Sequence, residues 1–183
     1  MIYPIYLYGH PVLRKRANEI DTGSMDIRSL VNDMFETMYN AQGIGLAGPQ
    51  IGKPLRLYVI DATPMAKARP ELDGFKRTFI NPEIIEHSED TTGFEEGCLS
   101  IPGIFEQVKR YNALSMRYLD ENLVEKTESF VGFQAVVVQH EYDHLNGVLF
   151  TDKIAPLKKR LLKSRLVAIT KGKVKTDYKT VIR

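Results

Sequence analysis

One cysteine and four histidines stand among 183 residues, and that scarcity, with several outright absences, excludes a good deal. A lone cysteine cannot close an internal disulfide, so nothing points to an oxidising compartment. No apolar run approaches the roughly 20 residues that span a bilayer. The opening stretch, MIYPIYLYGHPVLRKRA, has no basic segment ahead of its apolar residues and no small-residue cleavage site. It does not read as a signal peptide. The net charge is only +2, too small for the whole-chain balance to argue for or against a nucleic acid. Repeats, low-complexity tracts and linkers are missing as well. These absences favour the cell interior, cytoplasmic or within an organelle, with no membrane or DNA partner.

What remains is an ordinary globular composition. Hydrophobic residues make up 43% and charged residues 26%, which rules out the low-hydrophobicity, high-charge signature of disorder. The length suits a single domain over residues 1–183. Between Ser24 and Gln42, the residues Ile27, Leu30, Val31, Met34, Phe35, Met38 and Tyr39 recur at three- and four-residue steps. That stripe predicts a core-facing helix, with Ser24 as N-cap and Gly43 as its stop.

Leu55–Ile60 and Thr78–Glu86 carry β-favouring residues. Residues 108–119 and 123–131, joined by Asp120, Glu121 and Asn122, predict an antiparallel hairpin. The polar stretch from Ala62 to Arg77 reads as a long surface loop. GFQAVVVQHEYDHLNG (132–147) is ambiguous: three consecutive Val favour a strand, but Phe133, Val136, Val137, His140 and His144 share one helical face, and Gly147 suits a C′ position. The chemistry below favours the helix. A last amphipathic helix is expected from Pro156 to Ile169, with Leu157, Leu161, Leu162, Leu166 and Ile169 on one side. The expected fold is α+β: antiparallel strands around a central HExxH helix, with an N-terminal and a C-terminal helix.

HEYDH places His140 and His144 one turn apart on one helix face, where both imidazoles can meet one metal ion. Glu141 can then reach a water at that metal. Such patterns also arise by chance on solvated helices, but here VVV and LNGVLF flank the motif. A catalytic site of this kind commonly takes a third protein ligand. His10, His87, the acidic residues and Cys98 are all candidates, and a lone Cys is more often a small buried hydrophobe.

Three separated segments, GIGLAGPQ (43–50), EGCLS (96–100) and QHEYDH (139–144), together resemble the peptide deformylases in order and spacing. The similarity runs from HPVLRKRA (10–17) to the last helix. What the resemblance implies is removal of the N-formyl group from the initiator methionine of nascent polypeptides, releasing formate. It implies Cys98, His140 and His144 as ligands of one divalent metal, Fe(II) foremost, with Zn, Ni or Co able to occupy the same site. It assigns acid/base work to Glu141 and oxyanion stabilisation to the Gln50 side chain and the Leu99 N–H. Gly43, Ile44 and Gly45 line the substrate side of the cleft, with Glu96 and Gly97 across it. Ile44, Phe133, Val136 and Val137 are the expected lining of the methionine pocket, although ordinary core describes the last three equally well.

The chain departs from the family pattern in three places. Gly48 stands where a second Ala is usual and is expected to loosen the loop slightly. Phe105 stands where many bacterial members carry an Arg that can contact the substrate backbone, and its absence bears on peptide affinity or preference. The loop around Pro64–Gly74 is longer than in compact members. Asp143 is either a solvated helix charge or the partner of Arg110.

Other readings are weaker. GIGLAGPQIG lacks the Lys-Ser/Thr of a P-loop and follows a helix, so a nucleotide site is disfavoured. A zincin peptidase would need a third ligand downstream, where only Asp152 and Asp177 remain as candidates. The basic run 158–179 reads as a solvated helix face or as a ribosome-docking surface. A purely RNA-binding protein would leave Cys98, His140, Glu141 and Gln50 without a role. Residues 172–183 are expected to form a final strand or a loose end.

Overall fold

The computed structural model describes residues 1–23 and 26–182. In chain order the elements are β1 (Ile5–Tyr6), α1 (Ile27–Asn40), β2 (Gly45–Ala47), β3 (Leu57–Asp61), β4 (Lys76–His87), β5 (Thr91–Cys98), β6 (Ile101–Tyr111), β7 (Ala113–Leu119), β8 (Glu125–Val131), α2 (Gly132–Leu145), α3 (Pro156–Thr170) and β9 (Thr180–Val181). β2-β3-β4-β7-β8 form an antiparallel sheet, β5 and β6 form a separate hairpin, and β9 pairs parallel to β1. α2 packs against β2, β3, β6 and β8, so the HExxH helix is central to the α+β fold. Among the described residues no helix is long and apolar enough to cross a membrane.

α1 buries Ile27, Leu30, Val31, Met34 and Met38, as its periodicity predicts. Ser24, the expected N-cap, lies outside the described residues. Asp26 caps the helix, its Oδ1 accepting from Ser29 N at 3.1 Å. Beyond the helix, Gln42 rather than Gly43 takes the left-handed conformation (φ 56). Tyr39 leaves the apolar stripe: it is 44% exposed and donates its hydroxyl to Asp61 at 2.6 Å.

The expected strand 108–119 is two strands in different sheets. β6 ends at Tyr111 and pairs with β5; β7 begins at Ala113 and pairs with both β4 and β8. Asn112 makes the crossing, its carbonyl accepting from Gly132 N at 2.8 Å. The β7–β8 turn is built as anticipated, with Asp120 Oδ1 accepting from Asn122 N and Val124 N. Pro82 survives inside β4 because it sits at a bulge: the register shifts between Ile80 and Glu83, and Asn81 (φ 49) bonds Ile20 through both ends of its amide. The expected surface loop 62–77 is partly internal, since Leu72 and Phe75 are buried and Lys76 already opens β4.

α2 ends in a Schellman motif: Gly147 (φ 71) donates to His144 O and Val148 N to Asp143 O at 3.0 Å. α3 is less amphipathic than its sequence suggests. Leu162, Leu166 and Ile169 are buried, whereas Leu157 and Leu161 stand in solvent. After α3 the chain runs irregularly to a two-residue strand, β9.

Candidate metal centre and cleft

Two elements deliver the candidate ligands. α2 presents His140 and His144 one turn apart, ring centroids 5.1 Å from each other. Cys98 closes β5, where the register slips between Glu96 and Cys98 and a tight turn leads into β6. Such a bulge re-aims the side chain out of the ladder. Cys98 Sγ lies 3.3 Å from His144 Nε2. The ligand atoms of Cys98, His140 and His144 all lie within 4.8 Å of one another. A thiolate and two imidazoles at that spacing fit one late first-row divalent ion with a coordination position to spare.

Neighbouring groups support this fit. Glu96 Oε2 lies 2.8 Å from His140 Nδ1, which fixes Nδ1 as a proton donor and orients the ring so that Nε2, on the Cys98 side, is the nitrogen available to a metal. Arg110 grips the same carboxylate twofold, Nε to Oε1 at 2.6 Å and an Nη to Oε2 at 2.9 Å. Its other Nη donates to Asp143 Oδ2 at 2.5 Å. Burial works against the Glu96 charge, but Arg110 and His140 outweigh it and hold the carboxyl down at about 2. For His140, too, burial opposes the charged ring, and the contacts with Cys98 and Glu96 prevail and raise its pKa. Burial lowers the pKa of His144, and the neighbouring His140 adds to the shift.

Glu141 is buried, and its Oε2 has no protein partner. Burial pushes its pKa up to about 7; His140 and Arg110 oppose the shift and Glu96 adds to it. The carboxyl occupies space that only a glycine leaves open: a Cβ at Gly45 would lie 2.3 Å from Glu141 Oε1. Gln50 is equally enclosed. Its Oε1 accepts from Ala47 N at 2.8 Å. That bond turns its Nε2 toward Ser100 Oγ, at 3.2 Å, and Cys98 Sγ, at 3.5 Å.

A cleft of about 490 Å³ opens on these groups, well within the range of small-ligand sites. Its lining includes Gly43, Ile44 and Gly45, Glu96, Gly97 and Leu99, and Phe133, Val136 and Val137 together with His140 and Glu141; Gly43 meets Leu99 directly, an added Cβ falling 2.7 Å from its side chain.

The sequence model of one family, described as Polypeptide deformylase, matches residues 2–160. The chain is 48% identical to a peptide deformylase of Christiangramia forsetii, with 98% of this chain and 95% of that one covered. It is 46% identical to one of Salinibacter ruber, with 100% and 96% covered. The chain belongs to the polypeptide deformylase family. Solved structures agree. A peptide deformylase from Legionella pneumophila superposes with a TM-score of 0.82 at 37% identity, over 94% of this chain and 98% of that one. The enzyme from Thermus thermophilus gives 0.81 at 37% identity, over 93% and 99%. The activity of polypeptide deformylases is hydrolytic removal of the N-formyl group from nascent peptides.

The structure gathers the expected ligands and the Gly43–Gly45, Gln50, Glu96–Leu99, Phe133, Val136, Val137 and Glu141 positions around one cleft, while His10 and His87, the other histidines weighed as ligands, are not among its lining residues. Glu96 borders the cleft, with both its carboxylate oxygens engaged by Arg110 and His140. Val136 and Val137 are almost fully buried and are core as much as lining. Gly48 does not loosen its loop: a Cβ there would lie 2.8 Å from the carbonyls of Lys53 and Leu55, so this backbone has no room for the usual Ala. Phe105 lies against Gly97, whose added Cβ would be 2.5 Å from the ring, and it lines the cleft while remaining 62% exposed.

Three residues escaped the sequence reading. Ser100 sits inside the EGCLS motif, and a hydroxyl two positions from a ligand was the available signal. Gln139 precedes the HExxH motif; its amide pairs with both backbone groups of Tyr111, at 3.1 and 2.9 Å, tying α2 to the end of β6. Tyr178 donates to Leu99 O at 2.7 Å and lies beyond the family match. Burial, with the Cys98 charge adding, pushes its pKa up to about 12.

Proposed function

We propose that Cys98, His140 and His144 bind one divalent metal ion, Fe(II) foremost, with Zn, Ni or Co able to take its place, and that Glu141 is the acid/base of formyl-peptide hydrolysis. The convergence of three ligand atoms within 4.8 Å beside the buried Glu141 carboxyl carries this reading. When bound, the metal supplies a Lewis acid and lowers the pKa of a water at its open position. Glu141 takes a proton from the attacking water as its oxygen bonds to the formyl carbon. The oxyanion that develops is met by Gln50 Nε2 and the Leu99 N–H, donors already fixed before the reaction. Glu141 then returns the proton to the departing nitrogen as the C–N bond breaks, leaving formate and a free α-amino group. Burial of this carboxyl, which raises its affinity for a proton, suits both transfers.

The peptide lies between the Gly43–Gly45 segment and the Glu96–Gly97 segment, with the methionine side chain toward Ile44, Phe133, Val136 and Val137. The whole span 1–183 works as one deformylase domain, a reading supported by the pairing of β9 with β1. Its substrates, nascent formylmethionyl chains, place its work in the cytoplasm or an organelle interior. Contact with the ribosome through α3 is a further part of the proposal. Lys158, Lys159 and Arg165 already bond Glu106, Asp152 and the Gly103 carbonyl, so only part of the basic face remains to carry it. Lys-to-Glu changes across 158–163 should weaken ribosome co-sedimentation at low salt, and unchanged binding removes this part of the proposal.

The central test is formate release from a short formyl-Met peptide by protein purified without oxygen, with bound metal quantified. Glu141→Gln should retain metal and lose roughly 10²–10⁴-fold in kcat. No formate from wild-type protein with a full complement of Fe, Ni or Co overturns the assignment.

A further inference from the structure

Beyond residue 160, where the family match ends, the chain returns to the cleft. Gly172 (φ 69) turns it at the end of α3. From there Val174, Tyr178 and Ile182 pack on the core, while Lys173, Lys175, Asp177 and Lys179 face outward. The far end is fixed by β9, with Ile5 N donating to Lys179 O at 2.8 Å and Leu7 N to Val181 O at 2.9 Å. Between these anchors, residues 175–178 form part of the cleft wall beside Leu99 and Phe105.

The contact that matters is the hydrogen bond from the Tyr178 hydroxyl to the Leu99 carbonyl. Residues 98–100 each contribute one group to the centre: a thiolate, a backbone N–H, and the hydroxyl 3.2 Å from the Gln50 amide. The segment lies at the β5–β6 turn, past the regular ladder. A strut on the Leu99 carbonyl limits rotation of the backbone there, and donors to a developing oxyanion are sensitive to displacements of an ångström.

We propose that the C-terminal tail is a working wall of the cleft, and that Tyr178, by holding the Leu99 carbonyl, is a positioning residue that aims the Leu99 N–H at the oxyanion. The proposal rests on the reading of Leu99 and Gln50 as oxyanion donors. Because Tyr178 acts on the transition state through Leu99, its loss lowers kcat and leaves ground-state peptide affinity almost unchanged.

The test compares Tyr178→Phe with Gln50→Glu in the full-length, metal-loaded enzyme acting on a short formyl-Met peptide. Phe keeps the ring and its packing and removes one hydrogen bond. Tyr178→Phe should lower kcat about three- to tenfold with KM within about twofold. Metal content should be unchanged, Tm should fall by no more than the few degrees one lost hydrogen bond costs, and hydrogen exchange at the Leu99 amide should be faster. Gln50→Glu keeps the acceptor for Ala47 N but removes the donor, and should lower kcat roughly 10²–10³-fold. If Gln50→Glu is impaired and Tyr178→Phe is not, the positioning role is overturned and the donor reading stands. If neither is impaired, the donor reading itself fails and the proposal falls with it. A Tyr178→Phe enzyme that loses metal, or whose KM rises as much as kcat falls, assigns Tyr178 a structural role and also overturns the proposal.

Discussion

α2 and α3 have nearly the same length, 14 and 15 residues, but sit in opposite solvents. α2 runs through the middle of the fold with Ala135, Val136, Val137 and Val138 all buried in succession. Three of its polar side chains are committed to partners: Gln139 to Tyr111, His140 to Glu96, and Asp143 to Arg110. α3 lies on the surface with one narrow buried edge, and its charges meet partners through solvent-exposed pairs such as Lys158–Glu106. The difference teaches that a charge inside this protein is a geometric device, whereas a charge on its rim is mostly solvation. Desolvation makes the first kind costly to disturb and leaves the second almost free to change.

The largest stability effect should come from breaking the buried network. Arg110→Met removes the cation and strands Glu96 and part of Asp143. Chemical denaturation should show a loss of about 3–5 kcal/mol, and His140 should lose its fixed ring orientation, weakening metal retention.

A sharper comparison uses two adjacent leucines on α3. Leu162 is 7% exposed and Leu161 is 73% exposed. Leu162→Ala should cost about 2–4 kcal/mol, against under about 0.5 kcal/mol for Leu161→Ala. Equal costs would mean that α3 is covered on its outer side in solution.

The smallest effect separates buried from exposed carboxylates by acid and salt. Glu96 and Asp152 both titrate in the folded state at about 2, below ordinary values of 4.5 and 3.8. For each, burial opposes ionisation and cationic partners prevail. A depressed carboxyl pKa stabilises fully above the unfolded value, so both contributions are present at neutral pH and vanish as pH falls toward 2. Asp152 is paired with Arg14 and Lys159 near the surface, and its share should shrink in roughly 1 M salt. Melting curves of Asp152→Asn and wild type should therefore converge at high salt. The Glu96→Gln deficit should persist.

The same contrast explains what could be read from the sequence. α1 has one wet side and one dry side, so its periodicity locates it. α2 is dry nearly all round, which erases the stripe and leaves Val136–Val138 as readable for a strand as for a helix; only the HExxH spacing decides. β5 carries TTGFEEGC, too polar to announce a strand, and it exists because β6 pairs with it. That pairing is long-range information, as is the switch of sheets at Asn112. In α3 the leucine spacing shows an apolar side but not how little of it meets the core. At the centre, residue types and spacing point to His140, Glu141 and His144. The Glu96–Arg110 clamp depends on strands folding back, which no local pattern encodes.

The pairing of β1 with β9 also orders events in the life of the molecule. Ile5 meets Thr180, so this ladder joins residues from opposite ends of the sequence, and closing so wide a loop comes late in folding. On a ribosome the first strand waits for the last to be synthesised. The wall carrying Tyr178 reaches the cleft only when the C-terminal strand is free to dock.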